Sequence, residues 1–328
     1  MVEPLLSVRG LRTTFPGPFG PVAAVDGVDF DLAPGEVLGL VGESGSGKSI
    51  TLRSILRLVN PPGLVSGAVR WKGRDLAGLG EPDLRDVRGR EIAIVFQEPM
   101  AALNPVLTVG LQIEESLETH LGLSGGGART RAGELLTMVG IADARQRLDA
   151  YPHEFSGGMR QRAMIAIALA AGPKLLLADE PTTALDVTIQ DQILKLLLRL
   201  RRELEMSIIL VTHDLSVVAQ TCDRVVVLYA GRVMEIGSVA DLFRRSAHAY
   251  TAGLIGSVPT GEGARRPLIS IPGTPPSQSA MPEGCRFAPR CELAEEACRS
   301  GKPVLAEIAP AHLSACRRSD AVLARPHA

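Results

Sequence analysis

The sequence predicts an α/β fold: a largely buried sheet, a helical insertion, and a small cysteine-bearing tail. Three observations lead there. Short apolar runs alternate with helical stretches, one apolar run passes through a glycine-rich loop into a helix, and composition changes sharply after residue 257. The chain has 328 residues, enough for one large domain and a smaller one. Hydrophobic residues make up 45% and aromatics only 3%, so the core is expected to be aliphatic.

The first element is a set of short β segments at residues 5–11, 28–32 and 37–41. The third runs into the loop 42–48, and a helix is expected from Ser49 to about residue 59, stopped by Asn60, Pro61 and Pro62. A further apolar strand is expected at 92–96. The stretch from 100 to 169 reads as mostly helical, with glycine-rich loops such as 125–127. Buried strands follow at 175–178 and 208–212, separated by a helix around 188–204. Residues 225–228 and 232–236 read as a closing hairpin around Ala230 and Gly231. Residues 259–282 are rich in Pro, Gly and Ser and read as a linker. No internal repeat is found.

Charge and hydropathy exclude several classes. There are 35 basic and 36 acidic residues, a balance that gives no reason to expect nucleic acid. Residues 1–10 lack a basic stretch followed by an apolar one, so no signal peptide is expected. The apolar run 163–178 is interrupted by Gly172, Pro173 and Lys174 and reads as a buried helix followed by a buried strand, not a membrane span. A cytosolic location is expected unless a partner holds the chain elsewhere.

The loop Gly42-Glu43-Ser44-Gly45-Ser46-Gly47-Lys48-Ser49 matches the phosphate-binding pattern, in its strand–loop–helix context. Its glycines let backbone N–H groups converge on phosphate oxygens, and the helix that follows adds its positive end. Lys48 is expected to reach the β and γ phosphates and Ser49 to ligate Mg²⁺. The alternative is a flexible glycine-rich turn, which the full pattern disfavours. The apolar strand 175–178 ends in Asp179 and Glu180. Asp179 is placed to hold Mg²⁺ and Glu180 to orient or deprotonate an attacking water. Beside a phosphate loop, two merely solvated acids are the weaker reading.

The segment Phe155-Ser156-Gly157-Gly158-Met159-Arg160-Gln161 resembles the signature sequence of ABC ATPases. Other pieces appear in ABC order. By this resemblance Gln97 is the Q-loop glutamine and a Mg²⁺ ligand, and Ala184-Leu185-Asp186 is the D-loop. His213 is the switch histidine, and Phe15 stacks on adenine. Met159 departs from the usual glutamine, but the serine and glycines are intact. The form FSGGMRQR, with Gln97-Glu98-Pro99 and Leu103-Asn104-Pro105, resembles the oligopeptide, dipeptide and nickel importer branch, as does the tail from Gly284 to Cys291.

The resemblance implies a P-loop NTPase (RecA-like) core with an antiparallel β subdomain and a helical insertion at about 100–165. The nucleotide-binding domain is expected to span 1–257, and a linker with a cysteine-rich C-terminal region 258–328. It also implies a Mg·ATP-hydrolysing subunit lying on the cytoplasmic face of the cell membrane. Two cassettes pair head to tail, so that Ser156, Gly157 and Gly158 of one act on ATP held by the other. The second cassette is expected to be a different chain, working with two permease subunits and, indirectly, a solute-binding protein. Residues 100–121 are expected to meet the permeases. Non-transport ABC ATPases of repair or ribosome-associated machines are the alternative class. Against them, Ser49 and Ser156 stand only 107 positions apart, without sustained heptads, and there is one phosphate loop.

Four of the five cysteines, Cys285, Cys291, Cys298 and Cys316, fall in the tail with spacing C-x5-C-x6-C-x17-C. In a cytosolic chain this favours metal over disulfides. Four thiolates suit a [4Fe–4S] cluster or a structural Zn²⁺, with metal-free thiols as the third possibility. The tail resembles that of peptide-importer ATPases, some of which carry an iron–sulfur cluster. Arg286, Arg290, Arg299, Arg317 and Arg318 are expected to offset cluster charge. Cys222 is read as a small buried residue.

Overall fold

A computed structural model describes residues 3–18, 20–183, 185–257, 271–277 and 280–325. Most of the expected linker therefore lies outside the described residues. The strands among those described are β1 (Leu6–Phe15), β2 (Val22–Leu32), β3 (Val37–Val41), β4 (Leu64–Trp71), β5 (Arg74–Asp75), β6 (Ile92–Val95), β7 (Leu175–Asp179), β8 (Ser207–Thr212), β9 (Arg224–Tyr229), β10 (Arg232–Ser238), β11 (Ala306–Ala309) and β12 (His312–Ser314). The chain folds as two compact units. One comprises Met1–Ala33, Val37–Ala77 and Thr212–Ala328, the other Pro34–Glu36 and Gly78–Val211.

In the first unit, β1 pairs antiparallel with both β2 and β4, and β5 adds at the edge. Leu6, Val8, Leu11 and Thr13 of β1 are buried, the alternation of a strand covered on one face, broken by a bulge between Val8 and Leu11. β3 is buried along its whole length and pairs in parallel with β9, which turns through Ala230 and Gly231 into β10. The expected hairpin is thus present. The helix after the phosphate loop is Lys48–Ile55, shorter than expected, because Arg57 takes a left-handed φ of 52° and ends it.

The tail continues this unit. β12 pairs antiparallel with β10, Glu235 opposite Ser314 and Ile236 opposite Leu313, and β11 pairs with β12. Phe287 is buried in an aromatic cluster, its ring centroid 5.4 Å from Tyr229 and 5.3 Å from Tyr250. The tail therefore has a core larger than its own apolar residues supply, while Val304 stays exposed.

The second unit carries the parallel strands β6, β7 and β8 in that order. β7 and β8 are buried throughout, which is why they read as uninterrupted apolar runs. The helices Val109–Leu121, Gly125–Met138 and Gly157–Leu169 pack on one another, and Ile113, Leu117, Ala132, Leu136, Ala163 and Ala166 are among their buried residues. Residues 125–127, expected as a loop, form the first turn of a helix. Glycine is tolerated there because the turn is exposed and Gly125 sits at φ 61°, just where the chain enters the helix. Helix Val187–Glu203 buries Ile193, Leu197 and Leu200, a stripe at helical spacing. Among the described residues no helix is long and apolar enough to cross a membrane.

Candidate functional site

The phosphate loop lies in the first unit, between β3 and helix Lys48–Ile55. Its first and last glycines are required by backbone geometry. Gly42 has φ 150° and a Cβ there would stand 2.0 Å from the Leu228 carbonyl oxygen; Gly47 has φ 100° and a Cβ would meet the Ala24 carbonyl at 2.6 Å. The loop closes with Ser46 N–H donating to the Glu43 carbonyl at 3.2 Å, and Gly231 N–H anchors the Ser46 carbonyl at 2.9 Å. Lys48 is buried, and its Nζ donates to the carbonyls of Gly42 at 2.8 Å and Glu43 at 3.0 Å. That holds the ammonium against the backbone of the loop, where it would offer positive charge to an anion in the cradle.

Three features fit a phosphate chain. No side chain caps the helix at Gly47, and the positive end of a helix there favours an anion. The Ser46 hydroxyl is buried with no hydrogen-bond partner among the described atoms. Beyond Glu43, whose charge is paired with Arg290, the loop residues carry no acid. Ser49 lies in the first turn of the same helix, and its hydroxyl is a hard oxygen donor of the kind Mg²⁺ takes. Phe15 ends β1 opposite Val22, its ring edge against Gly63, partly buried. His213 follows β8 and is exposed. Asp214 beside it caps helix Leu215–Thr221 through Ser216 N–H at 2.8 Å.

In the second unit, the register of two strands brings catalytic candidates together. β6 runs parallel to β7 with Val95 opposite Ala178, so Gln97 and Glu180, each two residues further on, emerge side by side. The Gln97 amide donates from Nε2 to Glu180 Oε2 at 3.1 Å, and Thr183 Oγ1 donates to the same oxygen at 2.7 Å. Glu180 sits at φ 45°, an uncommon value for a residue with a side chain, with its N–H held by the Val211 carbonyl at 3.1 Å. Asp179, just before it, is buried at the end of β7. The Asp179 carboxylate and the Gln97 amide oxygen are hard donors of the kind Mg²⁺ takes.

Ser156 caps helix Gly157–Leu169, its hydroxyl accepting from Met159 N–H at 3.3 Å. Gly157 faces Leu185, whose Cδ2 would be 3.6 Å from an added Cβ, and Gly158 faces Ile189 at 2.8 Å. Asp186 caps helix Val187–Glu203 by accepting from Ile189 N–H at 2.9 Å. The signature segment and Leu185–Asp186 are thus brought together, with Ala184 outside the described residues.

The tail bears on two expectations. Cys285, Cys291, Cys298 and Cys316 do line one small cavity, with His248 and Phe287 on its wall. Yet among the described residues no three His, Cys, Asp or Glu side chains are arranged to hold a metal ion. Burial pushes the Cys316 thiol up to about 11 and raises Cys285 and Cys291, which favours neutral thiols. Nor do Arg286 and Arg290 serve the thiols. Arg286 is buried and donates to Asp26 at 2.5 Å and to the Ala230 carbonyl, while Arg290 pairs with Glu43. Cys222 packs against Gly39, and burial pushes its thiol up to about 12.

Two contributors escaped sequence reasoning. Tyr250, 207 positions beyond Glu43, accepts a hydrogen bond from the Glu43 N–H at 2.9 Å. Asp26 gathers Arg12, Arg232, Arg286 and Lys302 around one carboxylate. Neither leaves a local pattern in the sequence.

Comparison with known proteins matches these features. Residues 25–183 match the ABC transporter family, and residues 234–298 match the oligopeptide/dipeptide transporter C-terminal region. A probable peptide ABC transporter ATP-binding protein of Sinorhizobium fredii is 52% identical over 322 residues, covering 97% of this chain and 96% of its own. The oligopeptide transport ATP-binding protein OppD of Escherichia coli is 48% identical over 314 residues, covering 96% and 93%. Among solved structures, a dimeric ATP-binding cassette in a post-hydrolysis state with bound ADP and Pi is 31% identical. It superimposes with a TM-score of 0.64 over 71% of this chain and 98% of that one.

Proposed function

The chain belongs to the ABC transporter ATP-binding proteins, in the branch that carries the oligopeptide/dipeptide transporter C-terminal region, and we propose that it hydrolyses Mg·ATP to drive uptake of di- or oligopeptides, or a related solute such as nickel, through separate permease subunits. The observation that carries the chemistry is the Gln97–Glu180 hydrogen bond at the ends of adjacent parallel strands. It supports Glu180 as the group that orients or deprotonates the attacking water and Gln97 as the residue that positions it. Lys48 and the N–H groups of residues 42–49 bind the phosphates, with Phe15 against the base and His213 facing the γ-phosphate. Ser49, Asp179 and Gln97 are the residues that would offer oxygen donors to Mg²⁺, and the ion would neutralise charge developing on the β and γ phosphates.

Ser156, Gly157 and Gly158, with Asp186 behind them, act on nucleotide held by a second cassette. We assign that cassette to a different chain, with two permeases and an extracytoplasmic solute-binding protein completing the complex. Nucleic acid has no part in it. The nucleotide-binding domain is 1–257, with the insertion at about 100–165, and the C-terminal region is 258–328. The chain lies peripherally on the cytoplasmic face of the membrane. Met100, Val106 and Leu111, exposed apolar residues of the insertion, support it as the permease-facing part.

A [4Fe–4S] cluster at Cys285, Cys291, Cys298 and Cys316, or a Zn²⁺ in its place, is the finer reading of the tail. It is supported by the convergence of the four thiols on one cavity. Anaerobic purification with visible absorption and iron and zinc analysis tests it, and protein free of both metals overturns it. The main reading is tested in proteoliposomes holding the two permeases. ATP hydrolysis there should rise with peptide and binding protein, and should be lost on Lys48→Ala. Failure of any permease to co-purify with the chain would overturn it.

A further inference from the structure

Among the residues of the phosphate loop, Glu43 is electrostatically out of place, since a carboxylate beside a triphosphate repels it. The structure supplies its counter-charge from 247 positions away. Arg290, the last residue of the short 3₁₀ turn Ala288–Arg290, meets Glu43 as a two-pronged fork: Nη1 to Oε2 at 2.7 Å and Nη2 to Oε1 at 3.1 Å. The side chain of Arg290 is 5% exposed and that of Glu43 27%, so this is not a loose surface pair.

Every donor of the guanidinium is committed. Nε donates to the Pro272 carbonyl at 2.8 Å, Nη1 also to the Tyr229 hydroxyl at 3.1 Å, and Nη2 also to the Ile271 carbonyl at 3.4 Å. The group lies within 5.8 Å of the Tyr229 and Phe287 ring centroids, which excludes water from one face. The main chain of Glu43 is held independently, its N–H donating to Tyr250 at 2.9 Å. The tail and its neighbouring helix therefore hold this residue of the loop by side chain and backbone.

Building on the phosphate-loop reading, we propose that Arg290 is a positioning residue for nucleotide: it neutralises Glu43 and draws its carboxylate away from the phosphate cradle, so that the C-terminal region sets the chain's affinity for ATP. A guanidinium is needed because the fork fixes direction as well as charge.

The test is equilibrium titration of the full-length chain with a fluorescent ATP analogue and Mg²⁺, with steady-state ATPase of the assembled complex alongside. Arg290→Gln should weaken nucleotide binding by about tenfold or more, one uncompensated charge's worth, and raise KM with little change in kcat. Arg290→Lys should recover part of the loss. Adding Glu43→Gln to Arg290→Gln should restore affinity, because the offending charge is gone; a purely structural defect in the tail would not be rescued this way. Wild-type affinity in Arg290→Gln, or no rescue in the double variant, overturns the proposal. If Arg290→Gln does not fold, Glu43→Gln alone decides. With Arg290 left in place its binding should tighten at low salt, and unchanged affinity overturns the proposal. Lys48→Ala separates the two readings: if it binds nucleotide normally the phosphate-loop assignment itself fails, whereas loss there with no effect at Arg290 overturns only the proposal.

Discussion

Gln97 and Glu180 are joined by a hydrogen bond of 3.1 Å although 83 residues separate them in the chain. The bond, with that from Thr183 at 2.7 Å, fixes the direction of one carboxylate oxygen, Oε2. Glu180→Gln keeps shape but removes basicity. It should leave ATP binding intact and lower hydrolysis by roughly 10²- to 10⁴-fold, the usual worth of a positioned general base. Steady-state ATPase of the assembled complex measures this, and near wild-type turnover would show that the base lies elsewhere.

Gly157→Asp probes the signature segment. An added Cβ meets only Leu185 Cδ2, at 3.6 Å, an ordinary contact, and an acid in the first turn of a helix is locally favourable. The fold should therefore tolerate it. Its carboxylate would repel the γ-phosphate of nucleotide held by the opposing cassette. ATP binding to the isolated chain should be unchanged while ATPase of the complex falls by about tenfold or more. Loss of binding in the isolated chain would place the signature at this chain's own nucleotide and refute the composite site.

Asp26 is the keystone of the first unit. Its carboxylate, 3% exposed, joins Arg12 of β1, Arg232 of β10, and Arg286 and Lys302 of the tail. Burial alone would raise its proton affinity, but hydrogen bonds from Arg12 and Arg232 and the charge of Arg286 hold it well below the usual range. Asp26→Ala strands the buried Arg286 and should cost about 3–5 kcal/mol, read as a lower denaturation midpoint with earlier proteolysis of the tail. Because the folded-state affinity is depressed, this contribution is complete above about pH 3.9 and fades as pH falls below it. A midpoint unchanged from wild type would mean that the four cations are adequately solvated without Asp26.

What the sequence made legible follows the range of the interactions involved. The phosphate loop and the strand ending in Asp179 and Glu180 were readable because their chemistry and their folding signal occupy the same few residues. The partnership of Gln97 with Glu180 depends on β6–β7 register, which spacing does not encode. β4 and β5 were missed because Leu64–Trp71 is mostly half-exposed and offers no apolar run. The tail strands β11 and β12 were missed because they are four and three residues long; β12 gains its burial by pairing with β10, and β11, paired only with β12, stays largely exposed. The tail arginines were read as partners for the neighbouring thiols. Proximity in sequence misled there: Arg286 and Arg290 reach back 260 and 247 positions to Asp26 and Glu43.

His248 gives a second, separate pH dependence. It is 1% exposed and begins helix Ala249–Gly256, where its Nδ1 accepts from Tyr250 N–H at 3.1 Å, so the ring is held neutral with its proton on Nε2. That Nε2 is buried without a partner among the described atoms. Near it stand the buried Glu235, which accepts from the N–H groups of Ala247 at 2.7 Å and His248 at 3.0 Å and from His312 Nε2 at 2.7 Å, and the ring of Phe287, 6.1 Å away, and it shares a cavity wall with the thiols of Cys285, Cys291, Cys298 and Cys316 and with Arg317 and Arg318. Burial pushes His248 down to about 4, against the opposing pull of Glu235. An unfolded histidine titrates near 6.5, so as pH falls from about 6.5 to about 4 the unfolded chain takes up a proton that the folded chain refuses. Stability is therefore full above the unfolded value and declines on acidification, by about 3 kcal/mol across that window. His248→Asn keeps a capping acceptor at the start of the helix but does not titrate. Denaturant midpoints from pH 7 to 4.5 should fall steeply for the wild type and much less for the variant, before the Asp26 contribution begins to fade. Parallel curves for the two proteins would remove His248 as the source of the slope.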